Sequence, residues 1–419
     1  MIFGRWIVCS YRGLGHLLLR TCGYEVRVLC SDRLVPYPDY EEIRRRPGIQ
    51  LKQNCRALCG GVGCGGPLLM SWRKWSSYLY RGGSVEGRGS GVVTYTEEEA
   101  LKAMVGCFNF SFVTYFNRRQ QAFYRSCGLE ARLVELDNGT LMSCWIPRRS
   151  KERAVTTSHK PTLVMLHAFG TSGISWSNQV GPFSKKFDLY IPDLVFFGDS
   201  SSTDTARSEF FQAESVYKLL QELNVTKFNL IGTSYGGFVA YRIAHLYPDS
   251  VQKLIISSSA VNMDPSSDEE LCAKCNCENT KEILCPTTVD ALKRTAALGF
   301  YKKPKMFIPR FIWADYLEAQ SMKNYTEKCE LADGMVLGKA DSPPLETVPQ
   351  ETLIIWGEFD EVFNIKWAHQ LKEHIGEKAQ VIVIKNAGHI PQVEKTSEYN
   401  KKVLAFLLED SSEEVVNSS

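Results

Sequence analysis

Ser234 stands between Gly232 and Gly236 in the stretch NLIGTSYGGFVAYRIA, which begins at Asn229. A serine hydroxyl is a weak nucleophile until a base takes its proton. It must also stand clear of its own backbone to attack. The apolar run before this serine, the small residues around it and the amphipathic run after it predict a strand, a sharp turn and a helix. Such a turn presents Oγ at the carboxyl edge of a sheet and aims the first N–H groups of the helix at developing negative charge. Gly232 and Gly236 leave room for the strained backbone that the turn requires. A helix-capping serine is the bland alternative, and it gives no reason for glycines on both sides.

A base has to reach that serine. Of the seven histidines, His369 and His374 fall inside a helical pattern, and His245 near the end of the helix after Ser234. His159 lies in a linker and His16 in a leader of different composition. Only His167 and His389 stand at strand ends. His389, in NAGHIPQVE, follows an apolar run and precedes the terminal helix, and it is the candidate base. A surface or capping histidine is the competing reading. An imidazole base needs a carboxylate to fix its tautomer. Asp360, in LIIWGEFDEVF, lies just past a strand end, with Glu358 and Glu361 as competitors. The order Ser234, Asp360, His389 suits a nucleophile carried on a strand-to-helix turn. The oxyanion of acyl transfer needs donors, expected from the Tyr235 N–H and from the Phe169 N–H in HAFGTSG, with Ala168 as the alternative. Removing one such donor typically costs roughly 3–4 kcal/mol of transition-state stabilisation. His167 reads as a brace for that loop rather than a second base, and Gly170 supports the same turn.

These residues must be delivered by strand ends. From Pro161 onward, PTLVMLH, FDLYIPDL, KFNLIG, QKLIISSSAV, TLIIWGEFD and QVIVIKNAGH read as strands. Between and after them SEFFQAESVYKLLQELN, YGGFVAYRIAHLYP, IKWAHQLKEHIG and SEYNKKVLAFLLED read as helices. Nearly continuous apolar strands alternating with helices predict an α/β chain with a mostly parallel, doubly wound sheet covered on both faces. ARLVELDNGTLMSCWIP predicts a hairpin ahead of it, with Asn138-Gly139 supplying the positive φ values of a tight turn. The alternation fails over 262–348, where Pro265, Pro286, Pro304, Pro309, Pro343 and Pro344 punctuate a helical pattern too long for a loop. This stretch reads as a helical cap inserted after the sixth core strand. The core then covers 127–261 and 349–410, with 411–419 a disordered tail. Phe300, Tyr301, Phe307, Phe311, Trp313 and Tyr316 predict either an apolar acyl pocket or packing within the cap.

The 419 residues are 44% hydrophobic, ample for one large domain or two smaller ones. A net charge of +2 gives no strongly charged partner and no reason to expect nucleic acid. No run of about 18 apolar residues predicts a spanning helix. The composition is uneven, because residues 1–103 hold 15 of the 31 glycines and carry +6, against −4 for the rest. They show no sustained period, and Gly61-x-Gly63-x-x-Gly66 has neither a strand before it nor a helix after it. They read as a poorly ordered extension, with a targeting peptide or sequence foreign to the native protein as rivals, and folding is expected to begin near Met104. Over 104–126, Phe108, Phe112, Tyr115, Phe116 and Phe123 fall near helical spacing beside Arg118, Arg119 and Arg125. A helix packed on the domain competes there with peripheral membrane contact through 108–123. Cys272, Cys275, Cys277 and Cys285 are spaced too irregularly for a zinc site and read as reduced thiols, pointing to the cytoplasm. No metal and no cofactor motif is expected.

LHAFGTSGISW, IPDLVFFGDSS, GTSYGG, WGEFDEVF and NAGHIPQVE occur in this order and together resemble the α/β-hydrolase superfamily, AB hydrolase-1 type, over about residues 130–410. They are most similar to plant members grouped with monoacylglycerol lipase-like and epoxide-hydrolase-like sequences. Two departures matter. Epoxide hydrolases of this fold carry Asp where this chain has Ser234, and relatives often carry Pro-Gly where it has Val195-Phe196. The bulkier pair either narrows the pocket or packs beneath the cap. The resemblance implies the α/β-hydrolase fold and a serine hydrolase acting on carboxylic esters, monoacylglycerol or another small apolar ester among them. A hormone-like receptor with slow turnover and a C–C bond hydrolase share the same residues and stay open, because fold does not fix function.

Overall fold

The computed structural model describes residues 27–29, 84–86, 92–94, 111–148, 160–302, 308–339, 342 and 344–409. The chain divides into two units, residues 2–112 and residues from 113 onward. In the first, Arg27–Leu29, Ser84–Glu86 and Val92–Thr94 form a small antiparallel sheet with Ser84–Glu86 in the middle. No strand was expected there, because three residues are too few to leave an alternating pattern. The expected poorly ordered extension over the rest of 1–103 and the disordered tail over 411–419 lie outside the described residues.

The second unit is built on eight main strands. They are β1 Leu129–Glu135, β2 Thr140–Pro147, β3 Thr162–Leu166, β4 Asp188–Pro192, β5 Phe228–Thr233, β6 Val251–Ser257, β7 Glu351–Gly357 and β8 Ala379–Ile384. Their order across the sheet is β8-β7-β6-β5-β3-β4-β2-β1, and a two-residue strand, Ser201–Ser202, adds to β2. β3 to β8 pair in parallel, while β1 and β2 are antiparallel. The parallel strands are apolar on both faces because both faces are covered. Val164, Leu166, Leu230, Ile256 and Ile354 enter one core cluster, while Leu163, Met165, Ile231, Ile255 and Leu353 enter the other. Removing a buried leucine from such a core typically costs about 2–5 kcal/mol.

The helices of this unit are α1 Phe112–Ser126, α2 Ser177–Phe183, α3 Glu209–Glu222, α4 Tyr235–Leu246, α5 Pro265–Cys275, α6 Lys281–Leu284, α7 Val289–Leu298, α8 Arg310–Tyr316, α9 Tyr325–Asp333, α10 Lys366–Ile375, α11 Pro391–Glu394 and α12 Thr396–Leu408. Helix α1 packs on the domain through Val113, Gln120 and Tyr124, seven and four residues apart, while Tyr115 and Phe123 stay exposed. The Tyr124 hydroxyl donates to the Gly173 carbonyl at 2.9 Å. The β1–β2 hairpin corrects one expectation. Of its turn residues only Gly139 has positive φ, +71°, so Asp137 and Asn138 form an ordinary turn closed by a glycine in the left-handed region.

Helices α5 to α9 form the cap between β6 and β7. Asp264 caps α5 by accepting the Ser266 N–H, with Pro265 at the first helical position, and Thr288 caps α7. Helix α8 runs into a π-turn over Leu317–Ser321. The chain returns to the sheet through a buried carboxylate. Glu209, at the start of α3 and fully buried, accepts the Val336 N–H (2.9 Å) and the Leu337 N–H (3.2 Å), and faces Arg242 of α4 at 3.3 Å. A buried ion pair is weak evidence of stability, but removing one partner strands a charge and two N–H groups. Glu209→Ala is therefore expected to destabilise the protein by about 3–5 kcal/mol in urea unfolding. A loss below about 1 kcal/mol, the value of a surface pair, would show that the clamp is not made in solution.

Candidate active site

Ser234 joins β5 to α4 with φ +52° and ψ −125°, a conformation that L-residues adopt only under strain. The strain is imposed by close packing. A Cβ on Gly232 would lie 2.1 Å from the Gly236 carbonyl oxygen, and one on Gly236 would lie 2.5 Å from the carbonyl oxygens of Leu166 and His167. The first turn of α4 thus rests directly on the end of β3, and the small residues around Ser234 are what allow it. The Ser234 N–H donates to the Ser257 carbonyl at the end of β6, which ties the elbow to the neighbouring strand.

Three strand ends then meet. Ser234 Oγ lies 2.9 Å from His389 Nε2, and His389 Nδ1 lies 2.9 Å and 3.1 Å from the two Asp360 oxygens. The buried Asp360 carboxylate also accepts the N–H groups of Val362 and Phe363, each at 2.9 Å. An ionised carboxylate at Nδ1 requires a proton there, so Nε2 is left as the acceptor facing the serine hydroxyl. The competitors lie elsewhere. Glu358 is exposed and accepts the Asn386 N–H, while Glu361 is exposed. His369 and His374 are on α10 and His245 is in the last turn of α4, away from the elbow, whereas His159 lies outside the described residues.

His167 is fully buried and sits between two loops. Its Nδ1 donates to the Ala168 carbonyl (2.8 Å), and its Nε2 accepts the Leu194 N–H (2.9 Å). Both ring nitrogens are occupied in the neutral form, so the ring braces the turn instead of moving protons. Gly170 takes φ +71° in that turn. Phe169 and Tyr235 lie side by side, ring centroids 5.4 Å apart. Tyr235 is the first residue of α4, so its N–H has no intrahelical acceptor. Among the described residues no acceptor takes the Phe169 N–H.

Several residues that sequence reasoning passed over hold these loops. Asp193, buried after β4, accepts the Gly173 N–H (2.7 Å) and the Asp199 N–H (3.1 Å), and burial pushes its carboxyl up to about 6. The Gln212 amide pairs with both the N–H and the carbonyl of Val195. Glu394 accepts the Gly388 N–H (2.6 Å), next to His389, and the Tyr301 N–H (3.1 Å) from the cap. A glutamate five residues after the candidate base was the available signal, but its two backbone partners are visible only in three dimensions. Val195 and Phe196 pack beneath the cap, buried. Phe196 adopts a glycine's conformation, φ +74°, with its carbonyl held by Asn324 of the cap and its ring under the Arg207 guanidinium at 4.4 Å.

The four cap cysteines do not gather. All are free thiols, with Cys272 beside Cys277 and Cys285 beside Cys329. A depression of about 380 Å³ lined by Pro248, Val251, Gln252, Pro349 and Glu351 lies at the amino ends of β6 and β7, the opposite edge of the sheet from Ser234, and belongs to no chemistry described above.

A profile of the α/β-hydrolase fold matches residues 161–274. Lipase 1 of Psychrobacter immobilis is 26% identical over 249 residues, covering 58% of this chain and 76% of that one. Human monoacylglycerol lipase ABHD6 is 26% identical over 263 residues, covering 59% and 76%. The crystal structure of a putative lipase from Acinetobacter baumannii AYE superposes with a TM-score of 0.58 at 21% identity, over 70% of this chain and 95% of that one. The strand order, the glycine-flanked elbow and these likenesses define an α/β-hydrolase fold. The profile match and the lipase relatives support a hydrolase of the α/β-hydrolase superfamily.

The brace makes a prediction about pH. Desolvation lowers the His167 pKa from 6.5 to about 4. Between those values the unfolded chain binds a proton that the folded chain does not, so the stabilisation is complete above the upper value and is lost as pH falls through the window. The loss amounts to about 3 kcal/mol by pH 4. Urea unfolding across this range should show that slope in the wild type and a flatter one in His167→Asn. Parallel curves would mean that His167 is not held neutral.

Proposed function

We propose that the protein hydrolyses carboxylic esters through Ser234, His389 and Asp360. The observation that supports this is the unbroken hydrogen-bonded line from Ser234 Oγ through both nitrogens of His389 to a buried carboxylate. In this reading Ser234 Oγ attacks the ester carbonyl as His389 Nε2 takes its proton. The carbonyl oxygen becomes an oxyanion addressed by the Phe169 and Tyr235 N–H groups. His389 then returns the proton to the departing alcohol, leaving an acyl-serine. Water, deprotonated by His389, attacks that ester and releases the acid and the free serine. Asp360 fixes the imidazole tautomer and stabilises the imidazolium without taking the proton.

The substrate side rests on the cap. Phe311, Trp313 and Tyr316 on α8 are half-buried, so they are not the interior of a cap core, while Phe307 lies outside the described residues. The Tyr316 hydroxyl reaches the Gly170 carbonyl at 3.4 Å, which brings this aromatic helix onto the turn beside the reacting carbonyl. Apolar walls there suit an acyl chain, in keeping with the monoacylglycerol lipase among its relatives.

A fluorophosphonate probe should label the wild type and not Ser234→Ala, with p-nitrophenyl ester turnover lost in the same variant. Asp360→Asn should keep the fold and lower kcat by about ten-thousandfold. Labelling with negligible turnover of every ester would favour a receptor, and turnover of a vinylogous diketone over esters would favour C–C hydrolysis. A folded wild type that takes no label sinks the mechanism.

The proposal extends to peripheral membrane contact through α1, which exposes Tyr115 and Phe123 beside Arg118 and Arg125. Among the described residues no helix is long and apolar enough to cross a membrane. Because α1 is anchored by the buried Tyr124, substitution tests it better than deletion. Tyr115→Ser with Phe123→Ser should abolish flotation with anionic liposomes, and equal flotation of both proteins removes the idea.

A further inference from the structure

Lys328, on α9 of the cap, is 5% exposed. Its ammonium lies 5.5 Å from the centre of the Phe197 ring. Phe197 in turn packs edge-on against His167 (5.5 Å) and Phe169 (4.9 Å). The lysine therefore stands one aromatic ring away from the turn that carries the Phe169 N–H. An ammonium has three donors. The Gln320 carbonyl takes one, and among the described residues no carboxylate pairs with it. Its neighbour Lys323 differs, being exposed and paired with Asp199 at 3.0 Å.

A buried cation without a counter-charge is costly, and proteins rarely keep one without a use for it. Desolvation brings the Lys328 amine down to about 8, which still leaves it largely charged near neutral pH. The arrangement has the positive charge, the further donors and the aromatic floor that an oxyanion subsite needs. Cys285, Cys329, Lys323 and Glu327 are the titratable groups around it, and His167 faces it from the core. None supplies a paired negative charge.

We propose that Lys328 binds an oxyanion carried by the substrate, a carboxylate or a phosphate, so that the preferred ester is an amphiphile with an apolar acyl chain and one negative group. This rests on the ester-hydrolase reading of Ser234. The anion lies on the cap side of Phe197, while the scissile carbonyl lies on the side of Phe169 and Tyr235, so the two groups are separate parts of one molecule. Lys328 takes no part in bond making.

Two matched pairs test it, used below their micellar concentrations. One is a short-chain monoacylglycerol and the same molecule phosphorylated on its glycerol hydroxyl. The other is a p-nitrophenyl alkanoate and its ω-carboxylated counterpart. In the wild type the anionic member of at least one pair should show the higher kcat/KM, by about ten- to hundredfold, the worth of a hydrogen bond to a charged group. Lys328→Gln should erase that ratio and Lys328→Arg should keep it. The pair that responds distinguishes phosphate from carboxylate. A wild type that turns over the neutral esters equally well or better overturns the subsite and leaves ester hydrolysis standing.

If none of the four is turned over, ester hydrolysis fails, and the subsite is judged by calorimetric binding to Ser234→Ala protein. There the anionic ligands should bind more tightly, and the advantage should fade as pH rises past about 8, where the amine loses its proton. Equal binding of charged and neutral ligands, or an advantage indifferent to that rise, overturns the proposal. The wild-type ratio and this titration need no substitution at Lys328, so a variant that fails to fold does not block the test.

Discussion

The close approach of α4 to the end of β3 governs everything else at the site. Gly236 sits where any side chain would strike the backbone carbonyls of Leu166 and His167, and a side chain on Gly232 would strike the Gly236 carbonyl more closely still. That contact forces Ser234 into its strained conformation, worth on the order of 1–3 kcal/mol. The surrounding sheet can hold such a strain because its strands are apolar on both faces and locked between two cores. The same contact brings the β3 turn, with Phe169, against the first residue of α4. One packing constraint therefore raises the serine and assembles both candidate oxyanion donors. Neither feature could be altered without the other.

Three buried carboxylates and a half-buried one do most of the remaining positioning, and each does it by accepting backbone N–H groups. Asp360 takes two and a histidine, Asp193 takes two from different loops, Glu209 takes two from the cap, and Glu394 takes one from each side of the cap boundary. A carboxylate is suited to this because it has four lone-pair sites and no donor to leave unsatisfied. Loops carry few apolar side chains and cannot be fixed by packing alone. Charge-assisted hydrogen bonds of about twice the ordinary strength supply the order that packing does not.

Much of this was legible in the sequence, for a physical reason. Strands buried on both faces must be apolar throughout, so β3 to β8 announce themselves, and a nucleophile on a strained turn needs small neighbours within two residues. Ser234, Asp360 and His389 therefore stood out by type and by place at strand ends. What escaped depended on partners distant in sequence. Glu394 looks like any helix-end glutamate until Gly388 and Tyr301 arrive beside it. Phe196 gives no sign that it will adopt a glycine's φ, because Arg207 and Asn324, which hold it there, lie 11 and 128 positions away. In α1 the aromatic spacing drew attention to Phe112, Tyr115 and Phe116, whereas the helix is anchored by Val113, Gln120 and Tyr124, since a polar glutamine and a hydroxyl with a carbonyl partner can face inward when their hydrogen bonds are met.

The cap meets the core on the very loops that carry the candidate chemistry. Tyr301 shares Glu394 with the residue before His389, Tyr316 reaches the Gly170 carbonyl, and Asn324 holds the Phe196 carbonyl. A cap lifted from the sheet would release one hydrogen bond beside His389, one at the Gly170 turn and one at the loop beneath Phe197. Opening of the cap and loosening of these groups would therefore be one event. Such coupling serves a hydrolase by ordering the site only around a bound ligand. It would equally serve a receptor, in which the closed cap is itself the signal. The fold supports either use, because the contacts that join these loops to the cap are the same in both.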